Sequence, residues 1–490
     1  MSEILFGQSY YLRFDPKLWN TMQPYPPLGT LYAAAYLREQ GFDVAVFDAM
    51  LAESEKDWEL SLTRHKPEYA IIYEDNFNYL SKMCLLRMRE AAFKMIDMAR
   101  KQNCTVIICG SDATDHFEAY LTQGADYIIL GEGESTLAEL MQWLKKNQKV
   151  KPLDILGLAW KDSQEMARNM ARRPVIQDID VLPSPARDLI YMERYKTIWR
   201  ENHGFFSMNM VTTRGCPYHC NWCAKPIWGQ RYNVRSPENV VEELFLIKET
   251  YQPEHIWFAD DIFGLQSGWV QEFADLAQKR NAVIPFKSLN RPDLLLAGDT
   301  IAALKKAGCQ TVWMGAESGS QKILDAMEKG TTVEQIYTVA QRLHAAQIEV
   351  AFFLQFGYPG ETREDIALTL QMVRDCLPDD IGISVSYPLP GTAFYERVKA
   401  QLQEKQNWQD SDDLAMLYQG PFNTEFYRKL HTVVHKEFRR RKFLQELSHA
   451  LRSPIQLRKK HLRRLAAAVY YHLSLPMERF KLNHLAKVTH

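Results

Sequence analysis

The sequence predicts an α/β protein built as two successive strand–helix units followed by a helical tail. Three observations predict it. Residues 1–150 alternate short apolar runs with helix-patterned stretches, residues 204–400 do so again, and past about residue 424 strand patterns stop. Strands separated by crossover helices imply parallel sheets. The first unit is expected to be a doubly wound parallel sheet. Its strands fall near 4–6, 44–47, 69–72, 106–109 and 127–130, with helices near 28–39, 80–101 and 135–146. Residues 151–203 read as a linker, because Asp180-Val181-Leu182-Pro183-Ser184-Pro185-Ala186-Arg187 is proline-rich and lacks periodicity. The second unit has candidate strands at 206–213, 255–258, 286–289, 311–314, 350–356 and 381–387, six repeats that suit a partial (β/α)6 barrel. Two helix starts are legible: Ser236-Pro237-Glu238, and Thr332 with Gln335 as a capping box. Residues 401–490 are expected to be helical and basic.

Length and composition agree with a multi-domain globular chain: 490 residues, 46% apolar and 24% charged. A net charge of −1 gives no global attraction to nucleic acid, and no nucleic-acid partner is expected. The charge is unevenly placed. From 436 to 490 there are 14 Lys/Arg against 3 Asp/Glu, a local net of +11 that leaves about −12 elsewhere. The stretches 438–444 and 457–465 read as basic amphipathic helices, and a solvated face packed on the barrel competes with attraction to an anionic membrane. No basic-then-apolar leader and no long apolar run occur, so a cytoplasmic location is the expectation, with membrane-peripheral contact as the sharper of the tail's two readings.

Eight cysteines in a chain of this size are not a disulfide framework. Cys84, Cys104, Cys109, Cys309 and Cys376 are scattered and read as buried thiols. The other three form one array, Cys216-Pro217-Tyr218-His219-Cys220-Asn221-Trp222-Cys223. Three thiolates on one loop can ligate three irons of a 4Fe–4S cube and leave the fourth iron open. Zinc is the competing reading, with His219 as the nearest further donor, but structural zinc sites want four ligands.

Cys-x3-Cys-x2-Cys with Trp222 before the last cysteine, after Val211-Thr212-Thr213-Arg214-Gly215, resembles the signature of radical S-adenosylmethionine (SAM) enzymes. The resemblance implies a TIM-type partial barrel whose open iron binds SAM. It also implies reductive cleavage to a 5′-deoxyadenosyl radical, with an electron donor such as flavodoxin or ferredoxin. Polar groups follow the later strands in barrel order: Asp260-Asp261, Arg291, Glu317-Ser318 between glycines, and Gln355. With Trp222 they are the expected SAM-binding residues, although each also has a bland reading as a cap or turn.

Upstream, Pro26-Pro27-Leu28-Gly29, then Ala34-Ala35-Tyr36-Leu37-Arg38, Gly41, Asp48 and Gly131-Glu132-Gly133-Glu134 resemble the Rossmann-like cobalamin-binding domain that precedes many radical SAM domains. The expected cobalamin contacts are Leu28, Gly110, Ser111, Gly131, Glu132, Gly133 and Glu134. Two departures are visible. Glu74-Asp75-Asn76-Phe77-Asn78 supplies no Asp-x-His-x-x-Gly for a lower ligand to cobalt, and Gly110-Ser111-Asp112-Ala113 stands where relatives often carry Gly-Gly-x-His. The resemblance implies methylation of an unactivated carbon of a small or lipid-like intermediate. Oxidation or ring closure, as in the anaerobic Mg-protoporphyrin monomethyl ester cyclase group, is the alternative with the same cofactors. A cobalamin or iron–sulfur sensor without catalysis is the alternative of another class.

Overall fold

A computed structural model of the chain describes residues 2–83, 85–146, 154–225, 227–402, 404–452 and 459–488. Cys84 and residues 457–458 of the tail therefore lie outside the described residues. Two parallel sheets organise the molecule, as expected.

The first sheet has seven strands: β1 (Ile4–Gly7), β2 (Val44–Val46), β3 (Tyr69–Tyr73), β4 (Thr105–Cys109), β5 (Tyr127–Ile129), β6 (Leu158–Lys161) and β7 (Ala167–Asn169). Their order is β2-β1-β3-β4-β5-β6-β7. β1 to β5 are parallel, whereas β6 and β7 join antiparallel. The central strands YAIIY and TVIIC carry near-continuous apolar runs because helices cover both faces. The order reverses at β1, so a topological switch point lies between β1 and β3. The hairpin β6–β7 falls inside the stretch read as a linker; its sequence, Leu-Ala-Trp-Lys then Ala-Arg-Asn, is too short to show a period.

The second sheet is a half-barrel: β8 (Ser207–Met210), β11 (His255–Phe258), β12 (Phe286–Asn290), β13 (Cys309–Glu317), β14 (Glu349–Phe356) and β15 (Asp380–Val385), all parallel and in sequence order. Its outer face packs on helices through Phe258, Phe263, Phe273 and Phe286. The run expected as one strand over 206–213 divides. After β8 the chain leaves the barrel and forms β9 (Thr213–Arg214), which pairs antiparallel with β10 (Asn233–Val234). The helix expected over 80–101 also divides, into Tyr79–Lys82 and Leu86–Lys101. At the break, the Leu86 and Arg87 amides donate to the carbonyls of Trp408 and Gln409. Both foreseen caps form: the Ser236 side chain accepts from the Asn239 amide, and Thr332 and Gln335 make a reciprocal box. Helices Thr424–Arg452 and Lys459–Val488 pair antiparallel at the end, through Lys429 and Lys436 to Glu478 and Arg479 to Glu437.

Candidate cofactor cleft between the two sheets

The loops beyond the C-terminal strand ends of the two sheets meet, Arg214 after β8 touching Glu132 and Glu134 after β5. The loop after β8 carries the cysteines. Cys216, Cys220 and Cys223 are all free thiols of intermediate exposure, and burial pushes the Cys223 thiol up to about 12. Among the described residues no group of His, Cys, Asp and Glu converges on one metal ion, and His219 is exposed.

The loop is held from behind. Asp260, at the end of β11, accepts from the backbone amides and hydroxyls of both Thr212 and Thr213 at 2.7–3.1 Å. Burial pushes its carboxyl up to about 6 and these four donors oppose the rise. The Asp260 carboxylate is thus committed to fixing the entry to the cysteine loop. Asn221, between two of the cysteines, donates to the Ala326 carbonyl at 2.8 Å and accepts from the Tyr358 hydroxyl at 2.7 Å. Arg291 stacks 3.6 Å from the Tyr218 ring centroid, donates to the Lys329 carbonyl, and brings Nη1 to 4.0 Å from Cys220 Sγ. Asp261 is exposed beside the cysteines.

Further round the rim, Glu317 takes a left-handed backbone, φ 56°, at a bulge in β13. A non-glycine residue there stores strain, which concentrates at functional sites. Its buried carboxylate pairs with Lys329 at 2.8 Å. Ser318 bonds Thr369, and Gln355 donates to Ser386. Trp222 packs beside Tyr358 and Phe394, with its indole N–H buried and unmatched. The structure therefore gathers Trp222, Asp260, Asp261, Arg291, Glu317, Ser318 and Gln355 on one rim. It also gives Asp260, Ser318, Gln355, Arg291 and Glu317 protein partners.

The opposite wall comes from the first sheet. Gly110-Ser111 follows β4, and Gly131-Glu132-Gly133-Glu134 follows β5. Gly133 must be glycine, since a Cβ would lie 2.6 Å from Cys109 Sγ and 2.7 Å from the Tyr73 hydroxyl. Leu28 is fully buried against Phe77, Val211 and Trp228. The two acids of the glycine loop each meet an arginine. Arg214, two residues before Cys216, forks onto them: Nη1 to Glu132 at 2.5 Å and Nη2 to Glu134 at 2.7 Å. The three side chains are at most 4% exposed. Glu132 and Glu134, expected as cobalamin contacts, form an ion-paired bridge to Arg214, and Glu134 keeps its second carboxylate oxygen, Oε2, buried and unmatched. Beyond the C-terminal ends of β3 and β4, Asn76 Oδ1, Ser81 Oγ and Ser111 Oγ are buried without hydrogen-bond partners. Buried polar atoms are nearly always matched, so unmatched ones beyond the C-terminal ends of parallel strands fit a polar ligand.

Sequence reading left Arg214 unassigned, though its place next to the cysteine array was a signal. It also left Tyr79, which reaches the rim from the first unit. Its ring is half exposed, and Cys223, Glu317, Tyr387 and Asp261 are charge neighbours of its hydroxyl. Within the half-barrel, strand alternation puts Trp257, Lys287, Leu289, Trp313 and Phe353 on the concave face. The Trp313 and Phe353 rings stack at 4.6 Å, and burial pulls Lys287 down to about 8. The lumen is thus walled by aromatic rings.

Comparison with known proteins follows this geometry. Residues 210–373 match the Radical SAM superfamily, and this segment is a radical SAM domain. An uncharacterized methyltransferase of Pyrococcus horikoshii is 29% identical over 392 residues, 78% of this chain and 81% of that protein. The anaerobic magnesium-protoporphyrin IX monomethyl ester cyclase of Synechocystis is 25% identical, covering 83% of this chain and 80% of its own. The fold resembles the radical SAM methyltransferase TsrM of Kitasatospora setae, solved with cobalamin and a 4Fe–4S cluster bound. There the TM-score is 0.66 and the identity 19%, over 82% of this chain and 78% of that one.

Proposed function

We propose that this protein is a cobalamin-dependent radical SAM methyltransferase acting on an unactivated carbon of a small or lipid-like intermediate. The observation that carries it is the meeting of two loop sets through Arg214: a free three-cysteine loop after β8, and a glycine loop after β5 beside strand ends that carry unmatched buried polar atoms. Cys216, Cys220 and Cys223 would hold the cluster. Arg291, Glu317, Asp261 and Trp222 stand where SAM would lie, and Ser111, Gly110, Gly131 and Gly133 where cobalamin would lie. When bound, cluster and SAM supply a carbon radical initiator and cobalamin supplies a methyl carrier. The chain's own residues do the rest. Asp260 and Asn221 fix the cysteine loop, Arg214 sets its distance from the glycine loop, and Trp257, Trp313 and Phe353 wall the lumen against water.

Cyclisation or oxidation is a second reading, favoured by the extent of the match to the cyclase. Product mass separates the two, because methylation adds one methylene. A sensor without catalysis would not cleave SAM. An electron donor of the flavodoxin or ferredoxin class and a peripheral membrane position complete the proposal. Among the described residues no helix is long and apolar enough to cross a membrane. The test is anaerobic reconstitution with iron, sulfide and hydroxocobalamin. One bound corrinoid per chain, with SAM converted to 5′-deoxyadenosine and S-adenosylhomocysteine, is expected. Absence of corrinoid, or no 5′-deoxyadenosine under strong reductant, overturns it.

A further inference from the structure

Helix Lys459–Val488 is apolar on two opposite faces. Inward, Ala468, Leu475 and Ala486 are buried, and Leu482 and Leu485 pack on the barrel core. Outward, Val469, Tyr470, Leu473, Met477 and Phe480 are 52%, 59%, 73%, 59% and 72% exposed. Their three- and four-residue spacing makes one stripe, about 16 Å long. Scattered exposed apolar residues are ordinary, but a continuous stripe on one helix marks a contact surface.

The orientation is fixed by the hairpin. Glu478, the one acid in residues 459–488, is turned to Lys429 and Lys436, and Arg479 is turned to Glu437. Arg441 also meets Glu437, and Lys442 meets the Asp379 carbonyl. Much of the basic charge noticed in the sequence is therefore engaged within the protein. The outward stripe carries no acid, and exposed Lys481 and Lys487 accompany it within a tail of net charge +11. Apolar residues flanked by cations are complementary to an anionic lipid surface.

We infer that the outward face of helix Lys459–Val488 docks on an anionic lipid bilayer, with Leu473 and Phe480 entering the interface and Lys481 and Lys487 meeting headgroups. This rests on the peripheral position proposed above and names the face responsible. Flotation of the full-length chain with phosphatidylcholine vesicles, with and without phosphatidylglycerol, tests it without cofactor or substrate. The chain is expected to float with the anionic vesicles and much less with phosphatidylcholine alone. Leu473→Asp with Phe480→Asp, two exposed positions, is expected to lower the partition coefficient on the order of a hundredfold at unchanged circular dichroism. Lys481→Glu is expected to lower it about tenfold. No flotation at low salt, or equal flotation of the double variant, overturns the inference. Light scattering that shows a dimer dissolved by the double variant assigns the face to a second copy and also overturns it. Failure here leaves the corrinoid and SAM measurements untouched, and their failure leaves the vesicle result untouched.

Discussion

Two buried arginine–glutamate triads flank Tyr32, and they are built in opposite proportion. In one, a single arginine, Arg214, holds Glu132 and Glu134 across the cleft. In the other, a single glutamate, Glu243 on helix Pro237–Tyr251, holds Arg187 of the linker and Arg235 just past β10 at 2.7 and 2.5 Å. Arg214 lies 5.5 Å from the Tyr32 ring, and Arg235 reaches the Tyr32 hydroxyl at 3.5 Å. β9 and β10 pair, so one two-stranded ribbon connects both triads to the cysteine loop. The difference is chemical. A carboxylate can escape burial by taking a proton, whereas a guanidinium stays charged. Removing the shared partner therefore leaves carboxyls that can take up protons in the cleft triad, and guanidiniums that cannot lose theirs in the linker triad.

The largest effect should come from Glu243→Ala, which strands two buried guanidiniums that cannot neutralise. The expected loss is about 3–5 kcal/mol of unfolding free energy, nearly independent of pH between 5 and 8, read by urea denaturation. Arg214→Met strands carboxyls instead, and its cost should depend on pH. Burial already raises the Glu132 pKa, with Arg214 opposing. A carboxyl raised in the folded state binds more protons folded than unfolded, so stability falls as pH rises through that window. Removing Arg214 raises the Glu132 carboxyl further. The expected loss is about 2 kcal/mol at pH 8 and under about 1 kcal/mol at pH 5. Equal pH dependence in the two variants would break the comparison. Glu132→Gln should be mildest, within about 1 kcal/mol, because Glu134 still faces Arg214 and the amide oxygen still accepts from the Ile176 amide.

These triads also show where sequence stops informing. Strand alternation, capping signals and the cysteine spacing are local, and they located both sheets, the Ser236 and Thr332 caps and the rim residues in order. What joins segments far apart in sequence left no such trace. Glu132 and Arg214 are 82 positions apart, and nothing in Gly131-Glu132-Gly133-Glu134 distinguishes an anion aimed at a cofactor from one aimed at an arginine. β6 and β7 were hidden because they complete a sheet whose pattern was set elsewhere. The basic tail was legible as charge, but which cations are engaged inside and which face is bare depended on how the two last helices pair.

The most direct test of the central claim is the metal content and paramagnetic spectrum of the anaerobically reconstituted chain, with and without SAM. About four irons per chain and a reduced-cluster signal that shifts on adding SAM are expected, both lost in Cys216→Ala, Cys220→Ala and Cys223→Ala. Stoichiometric zinc, or a cluster signal indifferent to SAM, would contradict the account.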